Sequence, residues 1–229
     1  MKYIRVVIAI TLIPLVIALG WNFFTLVVTL GKNVSVSALP FWLGLGSYFI
    51  FQVVFFRPIR TYVFGHELTH ALVGLLSGAA VRGFKVSSSG GSVVLSKTNI
   101  FIALAPYFVP LYTGMVIAVY WIGSRFWPLS PYYGYFLFAA GFTLAFHFSL
   151  THFALQQGQS DLKQFGVFFS TVFILLVNFL ILSVFLNVLF PREVHLRGYF
   201  TQSMEKTVSL CQATYQKGVL LCSSFQQTK

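Results

Sequence analysis

His66-Glu67-Leu68-Thr69-His70 is an H-E-x-x-H sequence. On a helix, residues four apart share a face. Two imidazoles one turn apart are therefore placed to grip one zinc ion, with the Glu67 carboxylate in reach of a water held beside it. Zinc brings the pKa of such a water to about 7, and a carboxylate can take its proton as it attacks a carbonyl. In a chain with five His and three Glu, chance places this pattern about 0.001 times.

The setting of the motif is as informative as its spacing. Of 229 residues, 57% are hydrophobic and 8% charged, and mean hydropathy is +0.82. Soluble globular chains carry about 25% charged residues. Four acids and fifteen bases cannot give a fold of this size a polar skin, which excludes a soluble enzyme, a nucleic-acid module and a disordered chain. The net charge of +11 sits between apolar runs, where it acts as a topology signal beside anionic lipid. Ionisable side chains inside a membrane span are expensive and mark function by default, and here three of them share one helix face. Cys211 and Cys222 lie in the polar tail and form neither a disulfide framework nor a CxxC pair.

The elements expected to position the motif are membrane helices, each needing about 20 apolar residues. Six runs qualify: 4–30, 39–56, 61–76, 99–123, 134–155 and 167–190. The first is too long for a signal-peptide core and has no clear A-x-A site, so it is read as a span. Arg57-Pro58-Ile59-Arg60 separates the second from the third. Pro106 and Pro110 kink the fourth. Between the third and fourth, 79–98 is rich in Gly, Ser and Val. It reads as a hairpin of strands 81–86 and 92–95 turning through Ser89-Gly90-Gly91. The expected fold is thus an all-α membrane protein of about six transmembrane helices with one small glycine-rich hairpin. It divides into a polytopic domain (1–190) and a polar C-terminal tail (191–229). Met204, Val208, Cys211, Tyr215, Val219, Cys222 and Phe225 recur every three or four residues in that tail, which predicts an amphipathic helix.

Six spans place Lys2, Arg5, Arg57, Arg60, Arg125 and the five tail bases on one side, and Lys32, Arg82, Lys85, Lys97 and Lys163 on the other. The positive-inside rule then puts both termini in the cytoplasm, and the expected location is a bacterial plasma membrane. His66 lies six residues beyond Arg60, about 9 Å along the helix axis. The site would be within the bilayer near its cytoplasmic face, where water must reach it.

The stretch Phe64-Gly65-His66-Glu67-Leu68-Thr69-His70-Ala71-Leu72-Val73-Gly74 resembles the metal-binding helix of the site-2 protease family, the zinc intramembrane metalloproteases. Gly90-Gly91-Ser92-Val93 is similar to that family's membrane-associated β-hairpin. The resemblance covers roughly 61–166, and the H-E-x-x-H part is its specific portion. It implies a zinc metalloendopeptidase that cleaves membrane-embedded or membrane-tethered proteins, or signal-peptide remnants, with the lipid bilayer as its medium and no nucleic acid as partner.

Zinc takes three protein ligands and leaves a fourth position for water. The resemblance implies an aspartate from a later span as the third, in an Asn-Pro…Asp-Gly context that this chain lacks. Asp161 is the only aspartate present, in Gln159-Ser160-Asp161-Leu162, and is the nominated ligand with His66 and His70. A helix-capping role for it stands beside this. In a simple six-span count Asp161 falls on the side opposite Arg60. Meeting His66 requires a re-entrant or broken segment around Pro106 and Pro110 or around Gly158, tolerated where it lines a cavity. Without one, His147 and His152 are the alternative ligands.

Glu67 is the expected general base and later proton donor. The open edge of the hairpin would hold an unwound substrate by backbone hydrogen bonds. Two other readings stand: a membrane metal transporter or sensor, and a catalytically inactive relative of the proteases. The outer spans have almost no ionisable residue to line a metal path.

Overall fold

The computed structural model describes residues 2–32, 38–55, 58–87 and 90–227, with side-chain surroundings assigned up to residue 220. Arg57 and Ser89 lie outside the described residues. The described residues are helical apart from one two-stranded antiparallel sheet and short connections, and the chain divides into two compact units, 33–170 and 1–32 with 171–229.

After α1 (Lys2–Lys32), the first unit runs α2 (Leu39–Val54), α3 (Ile59–Leu76), β1 (Val81–Ser87), β2 (Gly90–Leu95), α4 (Ile100–Leu104), α5 (Leu111–Gly123), α6 (Tyr133–Gln156) and α7 (Ser160–Phe165). Helix α4 runs into a 3-10 turn, Ala105–Tyr107. The second unit holds α1 (Lys2–Lys32), most of α8 (Val167–Leu189) and the tail helix α9 (Leu196–Gln227). There the Tyr199 hydroxyl donates to the Leu19 carbonyl at 3.1 Å, and Asn22 Nδ2 donates to Ser203 Oγ at 2.9 Å. Phe23 packs against Phe179.

Among the described residues, three helices are long and apolar enough to cross a membrane: Lys2–Lys32, Ser130–Gln156 with its leading 3-10 turn, and Val167–Leu189. The chain is therefore a membrane protein in character. The expected fourth span is not one kinked helix. It is two helical pieces, Ile100–Tyr107 and Leu111–Gly123, bent by 83°. The cause is in the sequence: a proline inside a helix removes one hydrogen bond and its ring clashes with the preceding turn, and Pro106 and Pro110 impose this twice within five residues. Helix α2, at 16 residues, is about 24 Å long and falls short of a 30 Å hydrocarbon core.

The polarity of α3 runs inside out. Phe64, Leu72, Leu75 and Leu76 face outward, while Glu67, Thr69 and His70 are buried. A water-soluble helix does the reverse. Its apolar outer face suits lipid, and its polar face is held by protein. The hairpin differs from expectation by register. Gly90 and Gly91 belong to β2 and pair with Ser87 and Val86, with Phe84 opposite Val93. Backbone pairing continues through the glycines.

The core of this unit is the contact of α2 with α6. Tyr48 is fully buried and packs edge-on against Phe142 and Phe146, with Ala145 and Leu150 beside it. The helices approach closely because glycines face backbone on both sides. A Cβ on Gly44 would stand 2.0 Å from the Phe138 carbonyl oxygen, and one on Gly141 would stand 2.1 Å from that of Phe41. Small residues at crossings are how apolar helices pack where lipid offers no hydrophobic drive. Gly46, on the same helix, has nothing within 4 Å. We therefore expect Gly44→Ala to destabilise by about 1–3 kcal/mol through overpacking. Gly46→Ala should stabilise by up to about 1 kcal/mol through helix propensity. Reversible unfolding in mixed detergent micelles compares the two, and equal effects of the two variants would show that the crossing is not packed as described.

Candidate metal centre

Three side chains from two distant parts of the chain converge. His66 and His70 project from one face of α3, their rings 4.9 Å apart and nearly perpendicular. Asp161 sits in the first turn of α7. Its Oδ2 lies 3.5 Å from His66 Nε2 and 3.5 Å from His70 Nε2. One ligand atom from each residue lies within 4.8 Å of the other two.

The distances discriminate between two arrangements. A direct ion-pair hydrogen bond from imidazolium to carboxylate spans about 2.7–2.9 Å. Two donors sharing a tetrahedral zinc at bonds of about 2.0–2.1 Å stand roughly 3.3–3.4 Å apart. At 3.5 Å the pairs are too long for the first and fit the second. The donor set of two imidazoles and one carboxylate is also that of an open zinc site, with room for a fourth ligand.

Local structure explains why each donor points inward. His70 Nδ1–H donates to the Ile102 carbonyl at 2.7 Å. That carbonyl is free to accept because its helical partner would be residue 106, a proline without an N–H. The Asn99 side chain, accepting from Ile102 N at 2.9 Å, holds the same short helix from its other end. His66 Nδ1 lies 3.2 Å from the Tyr62 hydroxyl, one turn back on α3. With both Nδ1 atoms so engaged, both Nε2 atoms face Asp161. Outer partners of this kind fix the tautomer and aim the ring of a metal-binding histidine.

Asp161 is brought in by a break in the chain. Helix α6 ends at Gln156, and Gly158 adopts φ +65°, a left-handed conformation that reverses the path into α7. Tyr107, buried in the 3-10 turn beyond α4, donates its hydroxyl to Asp161 Oδ2 at 2.9 Å. Burial raises the carboxyl's pKa. The imidazoles of His66 and His70 and the Tyr107 hydroxyl outweigh that and hold it well below the usual carboxylate range. The oxygen that faces the imidazoles is an anion.

Glu67 points into the same space but is not one of the three. It is buried under β2, where the Val93 backbone amide donates to its carboxylate. Gly91 makes this possible: a Cβ there would lie 2.6 Å from Glu67 Cγ and 3.0 Å from its Oε1. Around these groups is a cavity of about 500 Å³. It is lined by the three donors, Glu67, residues 91–95 of β2, Thr98, Ile102 and Ala103, and by Gln159, Ser160 and Gln164 at a polar side. Strand β2 pairs with β1 only, among the described residues, so its other edge is left for a further strand.

The two alternative ligands fall elsewhere. His152 is exposed and accepts from Gln156 Nε2 at 3.0 Å. His147 is buried in α6 and lines a different, smaller cavity with His66. Sequence reasoning passed over Tyr62 and Tyr107. The first carried a signal, since it lies four residues before His66 on the same face. The second carried none, because it meets Asp161 across 54 residues. Comparison of the chain with protein-family models, curated proteins and solved structures returns no match.

Removal of Asp161 by Asp161→Ala is expected to weaken Zn²⁺ binding by more than about 100-fold, beyond the 10–100-fold loss typical of an outer partner. Tyr107→Phe should fall within that 10–100-fold range, and His152→Ala should leave affinity unchanged. Equilibrium dialysis with elemental analysis measures all three, and full affinity in Asp161→Ala removes it from the ligand set.

Proposed function

We propose that this protein is a zinc-dependent intramembrane endopeptidase of the site-2 protease kind, hydrolysing peptide bonds of membrane-embedded or membrane-tethered proteins. The observation that supports it most is the pair of 3.5 Å separations that bring His66, His70 and Asp161 to one point, with Glu67 buried beside them. The three donors would hold the ion, which when bound acidifies a water and polarises the scissile carbonyl.

The rest of the chemistry falls to the chain. Glu67 takes the proton of the attacking water and returns it to the leaving nitrogen. The roof of β2 over Glu67 excludes bulk water on that side, while Gln159, Ser160 and Gln164 give water a polar route in. The unpaired edge of β2 accepts an unwound segment of substrate as an added strand, since a transmembrane helix must lose its internal bonds before its carbonyl can be reached. The cavity has space for a few residues of extended chain. The tyrosines and the Ile102 carbonyl keep the donors aimed.

In this reading the chain crosses a bacterial plasma membrane about six times, with the short helix α2, helix α3 and the broken α4–α5 pair as the passes beyond the three long helices. Both termini are cytoplasmic, as the Lys and Arg distribution favours. The lack of ionisable residues on α1 between Arg5 and Lys32, and on α8, supports a protease over a metal transporter.

The test separates binding from catalysis. In proteoliposomes, Glu67→Gln should retain full zinc content and lose about 10²–10⁴-fold of the cleavage rate on single-span peptide substrates. Undiminished cleavage in that variant, or wild-type protein without stoichiometric metal, would sink the proposal.

A further inference from the structure

A second cavity touches His66. It measures about 20 Å³ and is lined by Tyr62, His66, Thr69, Pro106 and His147, with apolar residues completing it. A water site needs roughly 10–15 Å³ of such space and two to four polar partners. The space is sufficient for one molecule.

The partners are present. His147 is 8% exposed, and its Nε2 is buried with no hydrogen-bond partner among the described residues. Thr151, one turn further along α6, is buried outside the lining of this cavity and beside the Tyr62 hydroxyl. Buried polar atoms in folded proteins are paired, with water where protein cannot reach. Tyr62 supplies the second partner. Its oxygen accepts from His66 Nδ1–H at 3.2 Å and its O–H faces Thr151, which leaves a second lone pair on the oxygen to accept from a water. The third is the backbone of Pro106. In an unbroken helix its carbonyl would accept from residue 110, but Pro110 has no N–H.

We propose that this cavity holds one ordered water joining His147 Nε2 to the Tyr62 hydroxyl, and that His147 is a positioning residue for the ligand His66. The inference rests on His66 being a metal ligand. His147 then acts at two removes. The water fixes the Tyr62 hydroxyl, Tyr62 fixes Nδ1 of His66, and Nε2 is thereby aimed at the point it shares with His70 and Asp161. This gives the histidine in α6 a role in the metal centre without a place in the ligand set.

The test uses the full chain in detergent micelles, with Co²⁺ as probe, affinity from chelator competition and ligand geometry from the visible spectrum. His147→Leu and Tyr62→Phe should each weaken Co²⁺ binding by about 10–100-fold and alter the spectrum. The double variant should be no weaker than the weaker single variant, because both act through one chain of contacts. His147→Gln, which keeps a hydrogen-bonding end, should recover most of the affinity and the wild-type spectrum. Unchanged affinity and spectrum in either single variant overturn the proposal, as do losses that add in the double variant. Tyr62→Phe serves this purpose even if His147→Leu does not fold. Wild-type protein that takes up no Co²⁺ overturns the metal centre itself and this inference with it. Cobalt bound by the wild type with no effect of His147 overturns only the inference.

Discussion

One carboxylate oxygen organises this structure. Asp161 Oδ2 faces His66 and His70 at 3.5 Å each and accepts from Tyr107 at 2.9 Å. These four residues come from α3, from the turn after α4 and from α7. In a chain with few charges, three ionisable side chains held together inside apolar surroundings are tolerable only when each is paired or bound. Three irregular features of the 33–170 unit serve that meeting. Gly158 reverses the chain after α6, the α4–α5 break bends it by 83°, and Gly91 lets β2 settle over Glu67.

Proline acts here as a source of acceptors as well as a breaker. Pro106 and Pro110 are spaced by one helical hydrogen bond, so each denies a donor to the carbonyl four residues earlier. The Ile102 carbonyl is thereby available to His70. In lipid such a carbonyl would be costly unless another group claimed it, and the His70 ring N–H claims it. The same two residues that prevent a straight fourth span thus create the hydrogen bond that orients one of the donors.

The packing that supports the site follows membrane rules. Helices α2 and α6 meet through Gly44 and Gly141, backbone against backbone, and around them an aromatic cluster of Tyr48, Phe142 and Phe146 fills the core. Helix α3 turns its leucines outward and its polar residues inward. A rigid scaffold of this kind is what a site needs if donors are to be held within about 0.5 Å of a working geometry.

Much of this was legible in the residues themselves. The i, i+4 spacing of His66 and His70, with Glu67 between them, is a local property. Any helix over those positions puts both imidazoles on one face, so the sequence alone determined half of the centre. The long apolar runs determined α1, α6 and α8, because length and composition suffice for a span. Glycine and β-branched residues determined a hairpin, though its register was decided by continued pairing through Gly90 and Gly91. What only the tertiary structure decided is the meeting of Asp161 with the histidines, the exclusion of His147 and His152 from that group, and the service of Tyr107. Those depend on two chain reversals whose angles are set by packing, and no spacing along the sequence carries the direction in which a broken helix resumes.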